Sequence, residues 1–192
     1  MKREEKKKLT RQAITDAALK LFSEQGYEAT KVEDIAKLAG VSKGTFFNYF
    51  PTKEAVIENY ERFTLYSEAD KLKNITAPVA PKLLAALIEI VHKMNYTRPL
   101  RRSTLQATLS STKNLEDHFE NMNNLRYLLI PIFELGQAHG EFTQKLPAET
   151  LADLTIQMFI GVLTHWCLGC GDDDIMAQLM LSFNVFFKGI SP

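Results

Sequence analysis

The sequence has little that would support disulfide bonding, membrane insertion or catalysis. Its 192 residues include two cysteines and one tryptophan. Two thiols and no export signal behind the charged N-terminus fit a reducing cytoplasm. No apolar run approaches the roughly 18 residues that a membrane helix needs. There is no Gly-rich phosphate loop, nucleophile motif or carboxylate pair in an active-site context. We therefore expect a cytoplasmic protein that is not an enzyme, has no cofactor and does not enter a membrane.

The net charge is zero, which argues against a nucleic-acid-binding protein until the distribution of charge is considered. Residues 1–60 carry 11 basic and 9 acidic side chains, and residues 1–11 carry six basic and two acidic ones. Two interpretations of this basic N-terminus stay open, an arm that contacts DNA phosphates and a solvated tail. Hydrophobic content is 45%, which is ordinary for a soluble globular protein.

Two short helices separated by a tight turn are predicted between Thr30 and Pro51. Thr30 is the expected cap of the first helix, and Gly40 ends that helix by adopting a left-handed conformation. Ser42 caps the second helix, which stops before Pro51. A helix, a short turn containing glycine and a second helix form the helix-turn-helix arrangement that enters the DNA major groove.

The second of these helices combines a polar end with a buried anchor. Its first turn is small and polar, which suits a helix end placed against phosphates and base edges. Phe46 and Phe50 lie four residues apart on the opposite face, so we expect both to be buried. The residues predicted to contact DNA are Thr30, Lys31, Ser42, Lys43, Gly44, Thr45, Phe47, Asn48, Tyr49 and Lys53.

Residues 10–54 resemble the DNA-binding domain of the TetR (tetracycline-repressor-like) family of bacterial transcriptional regulators. The likeness is carried by Thr30, by Asp34–Ala36 and by the run from Ala39 to Glu54, AGVSKGTFFNYFPTKE. A weaker likeness returns at Gly136, Gly140–Phe142, Pro147 and Gly161. In the family the position of Phe47 is often a tyrosine whose hydroxyl reaches a phosphate. Phe47 has no hydroxyl, so we expect it to contact a thymine methyl group or a sugar.

The resemblance implies an all-α homodimer that binds a palindromic operator and is released by a small effector. Residues 1–52 would form the three-helix DNA-binding domain, and residues 53–192 a larger helical domain for effector binding and dimerisation. Apolar periodicity independently predicts helices near 10–25, 53–73, 83–94, 100–109, 113–138, 147–166 and 174–188, which gives about nine in all. We expect breaks at 110–112 and 169–174.

The last two helices are apolar on more than one face, which indicates burial on two sides. We therefore predict a four-helix dimer interface, as the resemblance also implies. The alternative is that these helices form the middle of a monomeric core. The predicted interface residues are Leu154, Met158, Gly161, Val162, Leu179, Phe183, Phe186 and Phe187.

The effector pocket is predicted only from large side chains on the helices that would enclose it. The set consists of Met94, Leu105, Phe119, Met122, Arg126, Tyr127, Phe133, Met158 and Trp166. Arginines at 98, 101, 102 and 126 would balance an anionic group on a lipophilic ligand such as an acyl thioester, or would be ordinary surface charge. We expect the effector to be hydrophobic.

The sequence leaves several alternatives open. Cys167 and Cys170 form a single C-x-x-C pair, which is either a redox pair, half of a metal site or two small residues at a helix end. Because no second pair exists, we predict no metal site. The favoured function is a ligand-responsive repressor. The alternatives are an activator or thiol-responsive regulator of the same fold, and a helical small-molecule-binding protein that does not bind DNA.

Overall fold

The computed structural model describes residues 3–94, 97–109, 112–170 and 174–192, and in these ranges all regular secondary structure is helical. The described α-helices are α1 (Arg3–Gln25), α2 (Val32–Leu38), α3 (Lys43–Tyr49), α4 (Lys53–Lys71), α5 (Val79–Met94), α6 (Arg98–Leu109), α7 (Thr112–Ala138), α8 (Ala148–Cys167) and α9 (Ile175–Gly189). A 3-10 turn, Leu72–Asn74, follows α4. None of the described helices is long and apolar enough to cross a membrane. The all-α prediction is confirmed, while the predicted breaks at 110–112 and 169–174 fall mainly on residues outside the described ranges.

The first helix begins well before its predicted start at Thr10. The Thr10 hydroxyl donates to the carbonyl oxygen of Lys6 at 3.0 Å, so Thr10 lies inside the helix and does not cap it. Residues 3–9 are exposed on every side of this extension. The basic N-terminus is therefore helical from Arg3 onwards, and its charged side chains project into solvent from this helix.

A first hydrophobic cluster joins α1, α2 and α3 to the start of α4. Phe46 and Phe50 lie inside it at 0% and 2% exposure, which confirms their predicted burial. They pack with Ile14 and Ile35, and the cluster is completed by Ala17, Ala18, Phe22, Tyr27, Ala36, Val56, Ile57 and, from α6, Leu100. We call this group the reading-head core.

Local chemistry sets the turn between α2 and α3. Gly40 has a φ of +67°, the left-handed conformation that glycine adopts without steric cost. The Val41 amide then donates to the Ala36 carbonyl at 2.9 Å, which closes the end of α2. Ser42 accepts a 3.0 Å hydrogen bond from the Thr45 amide and caps α3, as predicted.

A second hydrophobic cluster, the sensor core, draws on α4, α5, α7, α8 and α9. Along α4 the change from one cluster to the other occurs between Ile57 and Leu65. The first turn of α4 therefore belongs to the reading-head core, and the helix continues into the sensor core. The division into domains at residues 52 and 53 stays a prediction, but α4 is shared by both cores.

The loop after α7 explains the second group of residues that resembled the family. A Cβ atom on Gly136 would lie 2.3 Å from ring carbons of Phe142, so only glycine fits there. The same loop also holds the N-terminus of α5. The Glu141 carboxylate accepts hydrogen bonds from the Val79 amide at 2.7 Å and from the Ala80 amide at 3.2 Å. A carboxylate at a helix N-terminus also interacts favourably with the helix dipole.

The α9 half of the predicted dimer interface is buried within the chain itself. Leu179, Phe183, Phe186 and Phe187 are each at most 9% exposed, because the aromatic face of α9 packs inward. Phe187 lies 5.8 Å from Phe183, between ring centroids, and 6.0 Å from Phe142. The apolar side chains that α9 exposes are different ones, Met180, Leu181 and Val185. On α8, Gly161 is exposed and Leu154, Met158 and Val162 are half-buried, so these four stay available.

Candidate functional site

The predicted reading surface is exposed at one end of the chain. Lys43, Gly44, Phe47 and Asn48 are exposed on α3, while Thr45 and Tyr49 are half-buried beside them. Ser42 is exposed as well, although its hydroxyl caps the helix. The structure therefore brings together, on the outer side of α3, the residues that the sequence assigned to groove contacts.

The inner side of the same helix is fixed by aromatic packing. The Phe46 and Phe50 ring centroids lie 6.1 Å apart, and the exposed Phe47 ring meets Phe46 edge-on at 5.5 Å. The Arg11 guanidinium lies 4.9 Å above the Phe50 ring. Arg11 of α1, together with the packing of Phe46 and Phe50 in the reading-head core, fixes the inner side of α3 while its outer residues face away from that core.

Lys43, a predicted base or phosphate contact, already has a partner. Its ammonium forms an ion pair with the Glu33 carboxylate of α2, and this hydrogen bond is the main reason why the pKa of Glu33 is lowered. Both side chains are about half exposed. Exposed pairs contribute little stability, so Lys43 can leave Glu33 for a phosphate at low cost.

The prediction that Thr30 caps α2 is wrong, and its contact with DNA stays a prediction. Lys31, not Thr30, is the N-cap position of α2, and no side chain caps that end. Thr30 is 1% exposed, and its hydroxyl donates to the Gly26 carbonyl at 2.8 Å, inside the turn that joins α1 to α2. The Thr30 side chain is thus a structural element of that turn. The neighbouring Lys31 is exposed and remains available for a phosphate.

Lys53 also binds groups within the protein. Its ammonium donates to the carbonyl oxygens of Tyr27 at 2.8 Å and Thr30 at 3.1 Å, and it lies 4.1 Å from the centroid of the Tyr27 ring. The Tyr27 hydroxyl donates to Glu54, and burial followed by this contact raises the pKa of Tyr27. Lys53 and Glu54 together fasten the start of α4 to the turn at residues 26–30.

A cavity of about 290 Å³ lies between α4, α6, α7 and α8. Its apolar wall includes Leu65, Leu125, Ile156 and Phe159, which also line a smaller apolar pocket of about 20 Å³ that reaches towards α5. Ligand sites commonly have volumes from about 300 Å³ upwards, so this cavity is at the lower end of that range. Of the two pockets described here, it is the one with room for a small molecule.

The predicted pocket residues agree with this cavity only in part. Met94, Leu105 and Met122 line it. Phe119 and Tyr127 instead point to solvent at 67% and 66% exposure, and Phe133 is packed against Phe142 in the sensor core. The other three also lie elsewhere: Met158 is half-buried beside the sensor core, Trp166 packs under Arg98, and Arg126 pairs with Asp153 at 2.7 Å.

Sequence reasoning missed the polar wall of the cavity. It is formed by Glu58, Glu61 and Arg62 of α4, Arg101 of α6, and Asn114, Asp117, His118 and Asn121 of α7. The spacing of residues 58, 61, 62 and 65 places them on one face of α4 and was a usable signal.

The charged groups of this wall interact strongly. The Arg101 guanidinium lies 3.5 Å from the Glu61 carboxylate and 3.3 Å from the Thr104 hydroxyl. Burial, and then the neighbouring carboxylates of Glu61, Glu54 and Asp117, raise the pKa of Glu58. Burial, followed by the charge of Arg101, lowers the pKa of His118, which favours its neutral form.

The remaining predicted arginines hold helices together. Arg98 donates to the Trp166 carbonyl at 3.1 Å, and Arg102 donates to the Cys167 carbonyl. Both bonds tie the α6 helix to the last turn of α8. Neither arginine is among the residues that line the cavity.

The C-x-x-C pair is asymmetric. Cys167 is fully buried and donates to the Thr164 carbonyl at 3.2 Å, whereas Cys170 is exposed. Burial raises the pKa of the Cys167 thiol, which makes it less reactive. Within the described ranges no group of three or more histidine, cysteine, aspartate or glutamate side chains is arranged to hold a metal ion.

Comparison with known proteins identifies the segment that contains α2 and α3. Residues 14–60 match the model of the tetR family of bacterial regulatory proteins. Over 53 residues the chain is 51% identical to the uncharacterized HTH-type transcriptional regulator YuxN of Bacillus subtilis, a match that covers 28% of this chain and 17% of that protein. For the first curated relatives matched, the shared part is only 17% to 37% of the relative's length.

Solved structures extend the likeness to the whole fold. The TetR family transcriptional repressor FadR of Thermus thermophilus, in complex with lauroyl-CoA, is similar with a TM-score of 0.68 and 24% identity, over 93% of this chain and 94% of that one. FadR of Bacillus subtilis, in complex with stearoyl-CoA, gives a TM-score of 0.66 and 21% identity, over 93% and 97%. At such identities the likeness shows the fold alone. Residues 14–60 therefore belong to the tetR family of bacterial regulatory proteins, and the helices around them have the fold of these TetR-type structures.

Proposed function

We propose that the chain is a repressor that binds a palindromic operator as a homodimer and is released by a small lipophilic effector. The observation that carries the proposal is the outer side of α3, where Lys43, Gly44 and Asn48 are exposed while Phe46 behind them is fully buried. A helix held in this way presents backbone amides and short polar side chains to duplex DNA.

Each exposed residue of α3 has a role in this proposal. Lys43 exchanges Glu33 for a guanine edge or a phosphate, and Asn48 pairs with adenine. Tyr49 contacts a phosphate, and Phe47 contacts a thymine methyl group or a sugar. Gly44 has no side chain, so the DNA backbone can approach the first turn of the helix closely.

Dimerisation would use exposed apolar side chains of α9 together with half-buried ones of α8. Leu181 and Val185 are 68% and 63% exposed and lie four residues apart, on one side of α9. With Leu154 and Val162 of α8 they offer a surface to the same surface of a second copy. Such a dimer would place two α3 helices about 34–36 Å apart, one turn of duplex DNA.

Control by an effector requires a link between the cavity and α3. Two helices provide one, since α4 contributes to both cores and α6 places Leu100 in the reading-head core next to Arg101 in the cavity wall. An effector that favours one position of these helices would change the spacing of the two reading heads. The apolar wall suits a lipophilic effector, and the two FadR proteins of this fold are complexed with acyl-CoA.

The test is fluorescence anisotropy with labelled duplexes from the DNA upstream of the gene, at a fixed salt concentration near 0.15 M. We expect one duplex to be preferred, and Asn48→Ala to lose about 1–3 kcal/mol of discrimination at one base position. Asn124→Ala, on the exposed side of α7, is the matched control and should bind like the wild type. Equal affinity for all duplexes, or an unchanged preference in Asn48→Ala, would contradict the proposal.

A further inference from the structure

The polar wall of the cavity contains more acidic than basic groups. Glu58, Glu61 and Asp117 face two guanidiniums, those of Arg62 and Arg101, and His118 favours its neutral form. Because Arg101 is engaged by Glu61, the positive charge deepest in this wall is already balanced. Arg62 is exposed to solvent, where water screens its charge.

Glu58 is the group that this arrangement leaves unsatisfied. Within the described residues its Oε1 atom is a buried oxygen that has no hydrogen-bond partner. A buried carboxylate oxygen without a donor costs free energy, which a ligand with an N–H group or a positive charge would recover. The raised pKa of Glu58 has the same origin, because burial and three neighbouring carboxylates disfavour its charge.

An anionic head group would find less support. Arg98 and Arg102 bind carbonyl oxygens of α8, and Arg126 is paired with Asp153. None of these three residues is among those that line the cavity. A carboxylate, or a phosphate of an acyl-CoA, would be repelled by the carboxylates of Glu58 and Asp117 if it lay beside them.

The shape of the cavity adds an apolar requirement. Leu65, Leu125, Ile156 and Phe159 form a wall that continues into the smaller apolar pocket. We propose that the cavity selects an amphipathic cation, with its protonated amine or quaternary nitrogen beside Glu58 and its apolar body against this wall. The inference rests on the proposed function only in assuming that the cavity is the effector site.

The test compares three probes that share one alkyl chain: decyltrimethylammonium, decanol and decanoate. Isothermal titration calorimetry on the full chain, below micelle-forming concentrations, should give the tightest binding for decyltrimethylammonium. Glu58→Gln keeps the side-chain size and should weaken that cation about tenfold or more while leaving decanol unchanged. Glu134→Gln, an exposed residue of α7, is the matched control. Circular dichroism melting curves verify that each variant is folded.

The pH dependence gives a second readout. Binding of the cation favours ionised Glu58, so its affinity should rise with pH through the titration of Glu58, and this slope should be smaller in Glu58→Gln. The groups that face Glu58 and contribute to the profile are Glu54, Glu61, Arg62, Arg101, Asp117 and His118.

The outcomes separate the two proposals. Binding of decanol or decanoate as tight as that of the cation, or an unaffected Glu58→Gln, overturns the cation inference and leaves the effector cavity in place. If none of the three probes binds while operator DNA still does, both the inference and the effector half of the proposed function fail. If DNA binding alone fails, only the repressor half does.

Discussion

The reading-head core and the sensor core differ in the space that they leave between their helices. The reading-head core packs α1, α2, α3 and the start of α4 around Phe46 and Phe50, and α6 adds Leu100 to it. The sensor core draws on five helices, and a cavity of about 290 Å³ adjoins it. Protein interiors are normally close-packed, so such a volume is a cost unless it holds something. A helix that reads DNA must be held in one position, whereas an effector site needs room.

The largest expected effect is at the centre of the reading-head core. Phe46→Ala removes a fully buried ring and should lower the free energy of unfolding by about 3–5 kcal/mol, with loss of DNA binding. Urea unfolding followed by circular dichroism measures it. Binding of small molecules to the sensor core should survive in the fraction of molecules in which that core stays folded.

Phe47→Ala is the matched control, because its ring is 45% exposed and only one residue away. It should change stability by less than about 1 kcal/mol while altering DNA affinity. Equal destabilisation by the two variants would contradict the claim that the buried ring of Phe46, and not the exposed ring of Phe47, holds the reading-head core together.

Lys53→Met tests whether the start of α4 is a clamp or a phosphate contact. We expect a loss of about 1–3 kcal/mol in the free energy of unfolding, because the Tyr27 and Thr30 carbonyls lose a charged donor. The salt dependence of DNA affinity should keep its slope. A slope reduced by about one, with unchanged stability, would instead identify Lys53 as a phosphate contact.

Filling the cavity should remove the response to an effector without changing DNA binding. Leu105→Trp puts an indole into the cavity from α6 and should abolish the effect of any compound that lowers operator affinity in the wild type, with DNA affinity retained. Overpacking costs less here than the usual roughly 1–3 kcal/mol because space exists. Leu168→Trp, at a position that is 58% exposed, is the control in an anisotropy assay. A retained response in Leu105→Trp would place the effector elsewhere.

The smallest effect should come from the Glu33–Lys43 pair. Glu33→Gln removes a carboxylate from beside α3 and releases Lys43, so DNA affinity should rise slightly with little change in thermal stability. The gain should shrink as salt increases, since it is electrostatic. Anisotropy titrations at two salt concentrations measure it, and weaker DNA binding would show that Glu33 orients Lys43 for its contact.

The reading head was predictable because its signals are local. Gly40, Ser42 and the spacing of Phe46 and Phe50 each determine structure within a few residues, and the structure agrees with all of them. The predicted Thr30 cap was wrong because a threonine before a helix can either cap that helix or donate to the preceding turn. In this chain the Thr30 hydroxyl donates to the Gly26 carbonyl, whose position is set by tertiary packing.

The cavity could be predicted only in small part, since its wall combines helices that lie far apart in sequence. Met94, Leu105 and Met122 line the cavity, but Phe133 is as large and apolar and belongs to the packed core. The face of α9 was equally hard to predict, because Phe183 and Val185 are both apolar and only packing determines which one is buried.

The most direct test is hydrogen–deuterium exchange of the protein with and without its operator duplex. The amides of the first helical turn have no partners within the helix, so DNA contact should slow their exchange. The account predicts new protection in the segment 42–49, where α3 begins at the Ser42 cap, and little at the exposed side of α7. Protection that leaves residues 42–49 unchanged and appears on α5 to α9 instead would contradict the account.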